Sequence, residues 1–334
     1  MSTEMQNSCH KSHRHAAAAI LTGNPERLET GNGFDDLPPS EDLVSVIVSS
    51  YAHEEFIEQA LLSITGQTYR STEVILIDDE SPDRTFELAL GVLRTSTLPY
   101  CAIRRRNAGM DTNLNAGILL AHGGWIAILG SDDFFPRNNI EVLLAAARAK
   151  RADVAVGPVD EVSRDGSFKA SRAAVVARFS LLSGDAFRKA LLEQHGSLMI
   201  QGMLVSRRVF ASVGLCAPEL VASDFDLLIR MASRNLKFTF VPEITAFHRQ
   251  TRHVLSREHI RKSLQSHLAI ASRHARSVGE YRLAASTVLC EAGLNHFHYR
   301  YYAHAAISLW RAFALSPLNT SRILATRVAG RLSR

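Results

Sequence analysis

Cysteine is scarce, with four in 334 residues. They stand far apart, at Cys9, Cys101, Cys216 and Cys290, with no Cys-x-x-Cys pair. That spacing speaks against a disulfide framework or a structural zinc site and suits a reducing cytoplasm. No stretch approaches the roughly 18 consecutive apolar residues of a membrane span. The best candidate, Ala116 to Leu129, is broken by His122-Gly123-Gly124. Ala16 to Leu21 is too short for the apolar core of a secretory signal. Glycine is missing from Ser49 to Glu55, where a dinucleotide-binding fold would place Gly-x-Gly-x-x-Gly, and no P-loop signature occurs. The expectation is a soluble, cytoplasmic protein that holds phosphates by something other than a glycine-rich nest.

Acidic residues thin out towards the end. From Arg249 onward 14 Lys/Arg stand against 3 Asp/Glu, so the net charge of +5 divides into +11 there and −6 over residues 1–248. Such a tail suits an anionic partner, a membrane leaflet or nucleic acid, or else a helical bundle with arginine on its solvent face. The basic residues lack regularly interleaved aromatics, which disfavours nucleic acid.

Apolar residues at 46% with 21% charged residues describe a globular chain. Residues 1–40, polar and scattered with His10, His13 and His15, are expected to be a disordered leader. Leu43 to Val48 reads as a strand, Glu54 to Thr65 as a helix, and Glu73 to Ile77 as a second strand. Pro82 is expected to open the next helix behind Ser81 as N-cap. Tyr100 to Ile103 is a third strand, Thr112 to Ala121 a helix, Asn138 to Arg148 another, and Val154 to Val156 a short strand before a hairpin near Asp165-Gly166. Strand and helix alternating in this way imply a mostly parallel sheet with right-handed crossovers. In the second half, Ser197 to Val205 is strand-like, Arg207 to Val213 is a short helix, and Phe238 to Val241 is a strand. Residues 41–256 form the expected α/β domain, and 257–334 a basic helical extension.

The most informative stretch is Trp125-Ile126-Ala127-Ile128-Leu129-Gly130-Ser131-Asp132-Asp133. A strand buried on both faces ends at a glycine and two carboxylates, which are costly to bury unless they meet something positive. The exit edge of a parallel sheet is where such folds bind ligands. One reading is a divalent metal held against a nucleotide diphosphate; the other is a solvated strand-to-helix turn. Adjacent acids in extended chain diverge, so one metal ligand and one supporting acid are expected. Asp224 and Asp226, two apart at a helix start, either cap the helix through its dipole or carry chemistry, and they cannot both point at one atom.

Taken together, Val46 to Tyr51 with Glu54, Gln67-Thr68-Tyr69, Glu73 to Thr85 with its Asp78-Asp79-Glu80-Ser81, Asn107-Ala108-Gly109, Asn115-Ala116-Gly117, Ser131-Asp132-Asp133 and Asp224-Phe225-Asp226-Leu227 with Arg230 resemble the family-2 glycosyltransferases. These are inverting enzymes of the GT-A fold, common in bacterial polysaccharide synthesis. The resemblance implies a GT-A mixed sheet flanked by helices. It also implies transfer of a sugar from a nucleotide-diphosphate sugar to a hydroxyl of a glycan or lipid-linked acceptor, with Mg²⁺ or Mn²⁺. By position, Tyr51 and Asp79 would grip the base, Asp132 would hold the metal, and Asp224 would be the catalytic base with Asp226 as alternative. His253 would complete the metal site, with His248 as rival. The donor pocket would extend to Ser49, Glu54, Asp78, Arg106, Asn115, Ser131, Asp133 and Gln201. Three positions depart from the family: Ala52 replaces an asparagine, Gly130 the first acid of the DxD motif, and Ser223 a glutamate. These departures keep open a degenerate nucleotide-sugar-binding or scaffold protein; a nucleotidyltransferase would want a glycine-rich basic loop that is missing.

The helices expected in the extension are Arg257 to Arg276, Glu280 to His298, Tyr302 to Leu315 and Thr320 to Leu332. The pair flanking Tyr301 resembles one tetratricopeptide unit, which cannot bury its own face. The last helix, with Arg322, Arg327 and Arg331 between apolar residues, suits weak peripheral attachment to the inner membrane.

Overall fold

The structure is a computed structural model that describes residues 25–193, 198–234, 236–251 and 257–332. In chain order the strands are β1 (Arg27–Gly31), β2 (Ser40–Ser50), β3 (Thr72–Asp78), β4 (Tyr100–Arg104), β5 (Gly123–Gly130), β6 (Val154–Val156), β7 (Val159–Val162), β8 (Phe168–Ser171), β9 (Met203–Ser206), β10 (Phe238–Phe240) and β11 (Ala246–Arg249). The α-helices are α1 (Ile57–Thr65), α2 (Thr85–Thr95), α3 (Met110–Leu120), α4 (Asn139–Lys150), α5 (Ala173–Phe179), α6 (Gly184–Glu193), α7 (Arg207–Val213), α8 (Ser223–Ser233), α9 (Arg257–His274), α10 (Val278–His298), α11 (Tyr302–Leu315) and α12 (Pro317–Leu332). They form two compact units that interleave in sequence: one holds residues 1–180, 198–218 and 236–251, the other 181–197, 219–235 and 252–334.

The first unit is built on an eight-stranded sheet of order β1-β4-β3-β2-β5-β9-β6-β10. Strands β4, β3, β2 and β5 run parallel, while β9 lies antiparallel between β5 and β6. Every residue of β3 is buried, as an apolar run packed on both faces requires. Helices α1, α2 and α4 bury Ile57, Leu61, Phe86, Leu90, Leu143 and their neighbours in the main core cluster. Helix α3 approaches β2 through Gly117, where an added Cβ would lie 2.4 Å from Ile47 Cγ2. A smaller sheet, β11-β7-β8, is joined to the end of β5 by a bridge between Phe134 and Phe247, whose rings stack at 4.7 Å.

Several sequence expectations are corrected here. The supposed leader contributes β1, which pairs antiparallel with the edge strand β4 and anchors Glu29 to Arg94 by two bonds of 2.7 and 2.6 Å. An edge strand needs ladder bonds more than an apolar face, so its polar sequence hid it. Helix α2 begins at Thr85, three residues after Pro82, because Asp83 rather than Ser81 accepts the Thr85 N–H. Only Met203–Ser206 of the 197–205 stretch is strand; Ile200–Gly202 is a turn of 3₁₀ helix. Glu73, inside an otherwise apolar strand, is fully buried. It accepts bonds from Ser45 Oγ and from the His122 and Gly123 N–H groups, and pairs with His122 Nδ1 at 2.8 Å.

The second unit is helical. Helix α8, expected within the sheet domain, belongs to it, and its apolar residues Leu227, Leu228 and Met231 are buried. Arg188 of α6 is buried and paired with Asp185 at 2.7 Å and with Glu280 of α10 at 3.0 Å. Among the described residues no helix is long and apolar enough to cross a membrane.

The α3–β2 contact yields a paired prediction. Gly117→Ala should cost about 1–3 kcal/mol in urea unfolding, because the clash with Ile47 outweighs better helix propensity. Gly91→Ala in α2, where a Cβ meets nothing within 4 Å, should instead gain up to about 1 kcal/mol.

Candidate functional site

In the first unit the candidate residues gather where the parallel strands end. After β5 the chain turns through Ser131, with the Asp133 N–H donating to Gly130 O at 3.1 Å. Asp133 is 2% exposed and accepts from Gln201 Nε2 at 2.9 Å and from the Arg249 N–H at 2.8 Å, with His248 Nδ1 at 3.1 Å. Burial alone would lower the His248 pKa; the bond to Asp133 and the negative charges of Asp133, Asp132 and Glu161 together outweigh it and raise it. Asp132 faces the other way: its Oδ2 accepts from Thr251 Oγ1 at 3.0 Å and lies 3.8 Å from His53 Nε2. Its backbone carbonyl is held by Arg249 Nε at 3.0 Å, and the Arg249 guanidinium sits 4.9 Å over the Phe56 ring. The adjacent acids thus diverge as expected, one wholly consumed and the other partly exposed. A Cβ on Gly130 would lie 2.9 Å from Asp133 Oδ2 and 3.1 Å from Asp132 Oδ1, so each carboxylate keeps one oxygen near the glycine although their partners lie apart.

The end of β3 repeats this division. Asp78 is fully buried and takes Ser50 Oγ at 2.9 Å, Ser81 Oγ at 2.5 Å and the Ser81 N–H at 3.0 Å. It braces two strand ends rather than lining a pocket, which corrects its place among donor contacts. Asp79 takes the N–H groups of Ala108 and Gly109 at 2.8 and 3.0 Å, so it shapes the loop after β4. Tyr51 is 49% exposed beside this edge, a ring free to stack. Ser131 Oγ lies 2.8 Å from His53 Nδ1, and Ser49 Oγ accepts from Asn113 Nδ2 at 3.3 Å. Glu54 Oε2 accepts the Arg84 N–H at 3.1 Å, and Arg106 is exposed. Asn115 is corrected: both ends of its amide are clamped on the Cys216 backbone at 2.9 Å, a tie between α3 and the loop after α7. His253 lies outside the described residues.

His53, Thr251 and Arg249 were missed as site residues. Each is brought to Asp132 by tertiary folding, and no local pattern marks it. Among the described residues, no group of three or more His, Cys, Asp or Glu side chains is arranged to hold a metal. The donors present are nevertheless mostly hard: one partly exposed carboxylate and one hydroxyl, with a borderline imidazole beside them. That set fits Mg²⁺ or Mn²⁺, which take one or two protein carboxylates and complete their shell with water and phosphate.

In the second unit, α8 starts with Asp224 and Asp226. Asp226 is buried; Arg230 Nε donates to it at 2.7 Å, and His274 Nε2 and Arg273 Nη1 of α9 stand at 2.8 and 3.3 Å. Burial raises its pKa, but these bonds prevail and bring it down to about 2. A carboxylate so occupied is a poor base, which corrects the expectation of Asp226 as an alternative to Asp224. Among the described residues no Lys or Arg is bonded to Asp224: desolvation raises its pKa, offset only in part by the Phe225 N–H at 2.8 Å and the charge of His267. Helix α9 fixes this turn. Ser266 Oγ accepts the Ala222 N–H at 3.2 Å, and the His267 ring lies 5.7 Å from that of Phe225.

The mixed sheet flanked by helices is of the GT-A class. S. aureus TarS 1-349, in a complex with UDP, has this fold, with a TM-score of 0.57 over 83% of this chain and 82% of that one at 15% identity. So does the mannosyltransferase PcManGT from Pyrobaculum calidifontis, in a complex with GDP-Man and Mn²⁺, with a TM-score of 0.53 over 98% and 91% at 20% identity. The model of Glycosyl transferase family 2 matches residues 45–214, half of the sequence, and the chain belongs to that family. The succinoglycan biosynthesis protein ExoO of Rhizobium meliloti is 34% identical over 158 residues, 45% of this chain and 44% of ExoO. The chain spans less than half the length of the curated relatives it matches.

Two predictions follow from these environments. The depressed pKa of Asp226 adds about 2 kcal/mol to stability above the ordinary carboxylate value of 3.8, lost as pH falls through about 2. Asp226→Asn should therefore lower stability at pH 7 by at least about 2 kcal/mol in urea unfolding and flatten the acid limb. Ala52 adopts φ 52°, a left-handed conformation that asparagine tolerates and alanine does not. Ala52→Asn should raise stability by about 0.5–1 kcal/mol.

Proposed function

We propose that the protein is a metal-dependent inverting glycosyltransferase moving a sugar from a nucleoside-diphosphate sugar to a hydroxyl of a glycan or lipid-linked acceptor. The observation that carries this reading is the outward set of Asp132 against the buried clamp of Asp133, in a chain of family 2. The complexes of TarS with UDP and UDP-GlcNAc and of PcManGT with GDP-Man support a nucleotide-sugar donor.

Asp132 is the residue to hold the cation, with His53 and Thr251 beside it; His253 stays a candidate from sequence alone. A bound Mg²⁺ or Mn²⁺ would supply Lewis-acid stabilisation of charge on the leaving diphosphate. The exposed Tyr51 offers its ring to the base. Asp79, with both oxygens on loop amides, positions Asn107 to Gly109 for the nucleotide. Asp224 is the base that takes the acceptor hydroxyl proton as the oxygen attacks the anomeric carbon from the face opposite the diphosphate. Its raised pKa suits this, since a stronger base accepts the proton more readily. A second reading, donor binding without turnover, draws on Gly130 in place of the first DxD acid.

The test is release of nucleoside diphosphate from UDP-GlcNAc and GDP-mannose by the full chain, with and without Mn²⁺. The wild type should release it only with metal; binding without release would favour the second reading. Asp132→Ala should lose the metal dependence of donor affinity in calorimetry. Asp224→Asn should bind donor yet lose transfer by about 10²–10⁴, and the wild-type rate should fall as pH drops through a value above 3.8. Because Asp224 is a desolvated charge, the same variant should be no less stable than wild type, unlike Asp226→Asn.

A further inference from the structure

Helix α11 reverses the usual amphipathic plan. Its inward side is built of small residues: Ala305, Ser308 and Ala312 are buried. Gly293 of α10 lets it come close, since a Cβ there would lie 2.7 Å from Leu309 Cγ. Leu309 and Leu315 pack partly buried against the same inner cluster, whereas the aromatic side chains point outward. Tyr302, Ile307, Trp310 and Phe313 are all exposed, Trp310 by 72%. At helical spacing they share one arc of about 140°, with Arg311 at its margin. Phe297, edge-on to Tyr302 at 5.5 Å, and Leu318, 87% exposed, extend the patch along the neighbouring elements. Single exposed apolar residues are ordinary, whereas a contiguous aromatic stripe of this kind marks an interaction surface.

Charge narrows the occupant. After Glu291 the chain contains no Asp or Glu, while Arg300, Arg311, Arg322, Arg327, Arg331 and Arg334 follow. A second copy would set this acid-free positive segment against itself, which like charges oppose. An anionic bilayer matches both features at once. Tryptophan and tyrosine prefer the headgroup level, and arginine stems lie along apolar surface with their heads on lipid phosphates. We propose that the outer face of α11 is a docking surface for an anionic lipid bilayer, with Trp310 and Phe313 entering the headgroup boundary. The proposal does not rest on sugar transfer. If both hold, the acceptor is met at a lipid surface.

The experiment uses the full chain with vesicles of phosphatidylcholine, alone or mixed with phosphatidylglycerol. Co-sedimentation should be stronger on the mixed vesicles by about tenfold or more, and should weaken as salt is added. Trp125, the other of the two tryptophans, is buried in β5, so a blue shift of emission on the mixed vesicles would report Trp310. The double variant Trp310→Ser, Phe313→Ser should fall to the phosphatidylcholine level with unchanged Tm and unchanged donor affinity. Three results would overturn the proposal: no wild-type binding to the mixed vesicles, equal binding by the variant, or a lipid-free dimer that the variant abolishes.

Discussion

Asp133 never meets solvent, and a desolvated carboxylate must be answered by donors or it destabilises the fold by several kcal/mol. Here the donors come from two separated places in the chain: Gln201 in a turn of 3₁₀ helix, and His248 and the Arg249 N–H at the end of β11. Meeting that requirement draws these segments to the end of β5 and fixes the turn that carries Asp132. The same logic holds two strands over, at the end of β3. Asp78 is satisfied by Ser50 and Ser81, which leaves Asp79 to set the Asn107 to Gly109 loop. Paired acids at these strand ends therefore divide their work, an inner one that braces and an outer one that shapes or lines the ligand edge.

The acids that open α8 are separated by environment instead of by burial alone. Asp226 gathers Arg230, Arg273 and His274 and is held far down the carboxylate range, while Asp224 is desolvated with little compensation and is pushed up. Two like groups whose pKa values are driven apart by neighbours take different roles. Arg230 lies on α8 itself, and Arg273 and His274 lie on α9, so the helical extension begins by shaping the turn that carries the proposed base.

Where chemistry is written in local sequence, it could be read. The apolar run of β5 and its glycine break follow from strand periodicity, and α7 and α11 match their expected bounds; Asp132 and Asp133 diverge in the turn after the strand. What escaped has a common cause. Strand β1 is stabilised by an edge ladder and the Glu29–Arg94 pair, neither of which leaves a hydrophobic pattern. Glu73 sits unmarked in an apolar strand because its partners, Ser45 and His122, come from elsewhere. Asn115, part of a recognisable motif, proves to be a backbone clamp on Cys216, and His53, Thr251 and Arg249 reach Asp132 only through tertiary folding. Sequence shows which groups are unusual; their partners decide what they do.

The two departures from the family at the ligand edge differ in kind. Ala52 keeps the left-handed turn that asparagine would favour, so alanine there costs backbone energy. Gly130 is coupled to the carboxylates themselves. Since a Cβ there would meet Asp133 Oδ2 and Asp132 Oδ1 at about van der Waals overlap or closer, an acid at this position and the present arrangement of Asp132 and Asp133 exclude one another without a local shift. Losing the first acid thus does not leave a gap. It leaves room for one oxygen of each remaining carboxylate near the glycine, and on the proposed reading it places the whole protein share of cation binding on Asp132 and the side chains beside it.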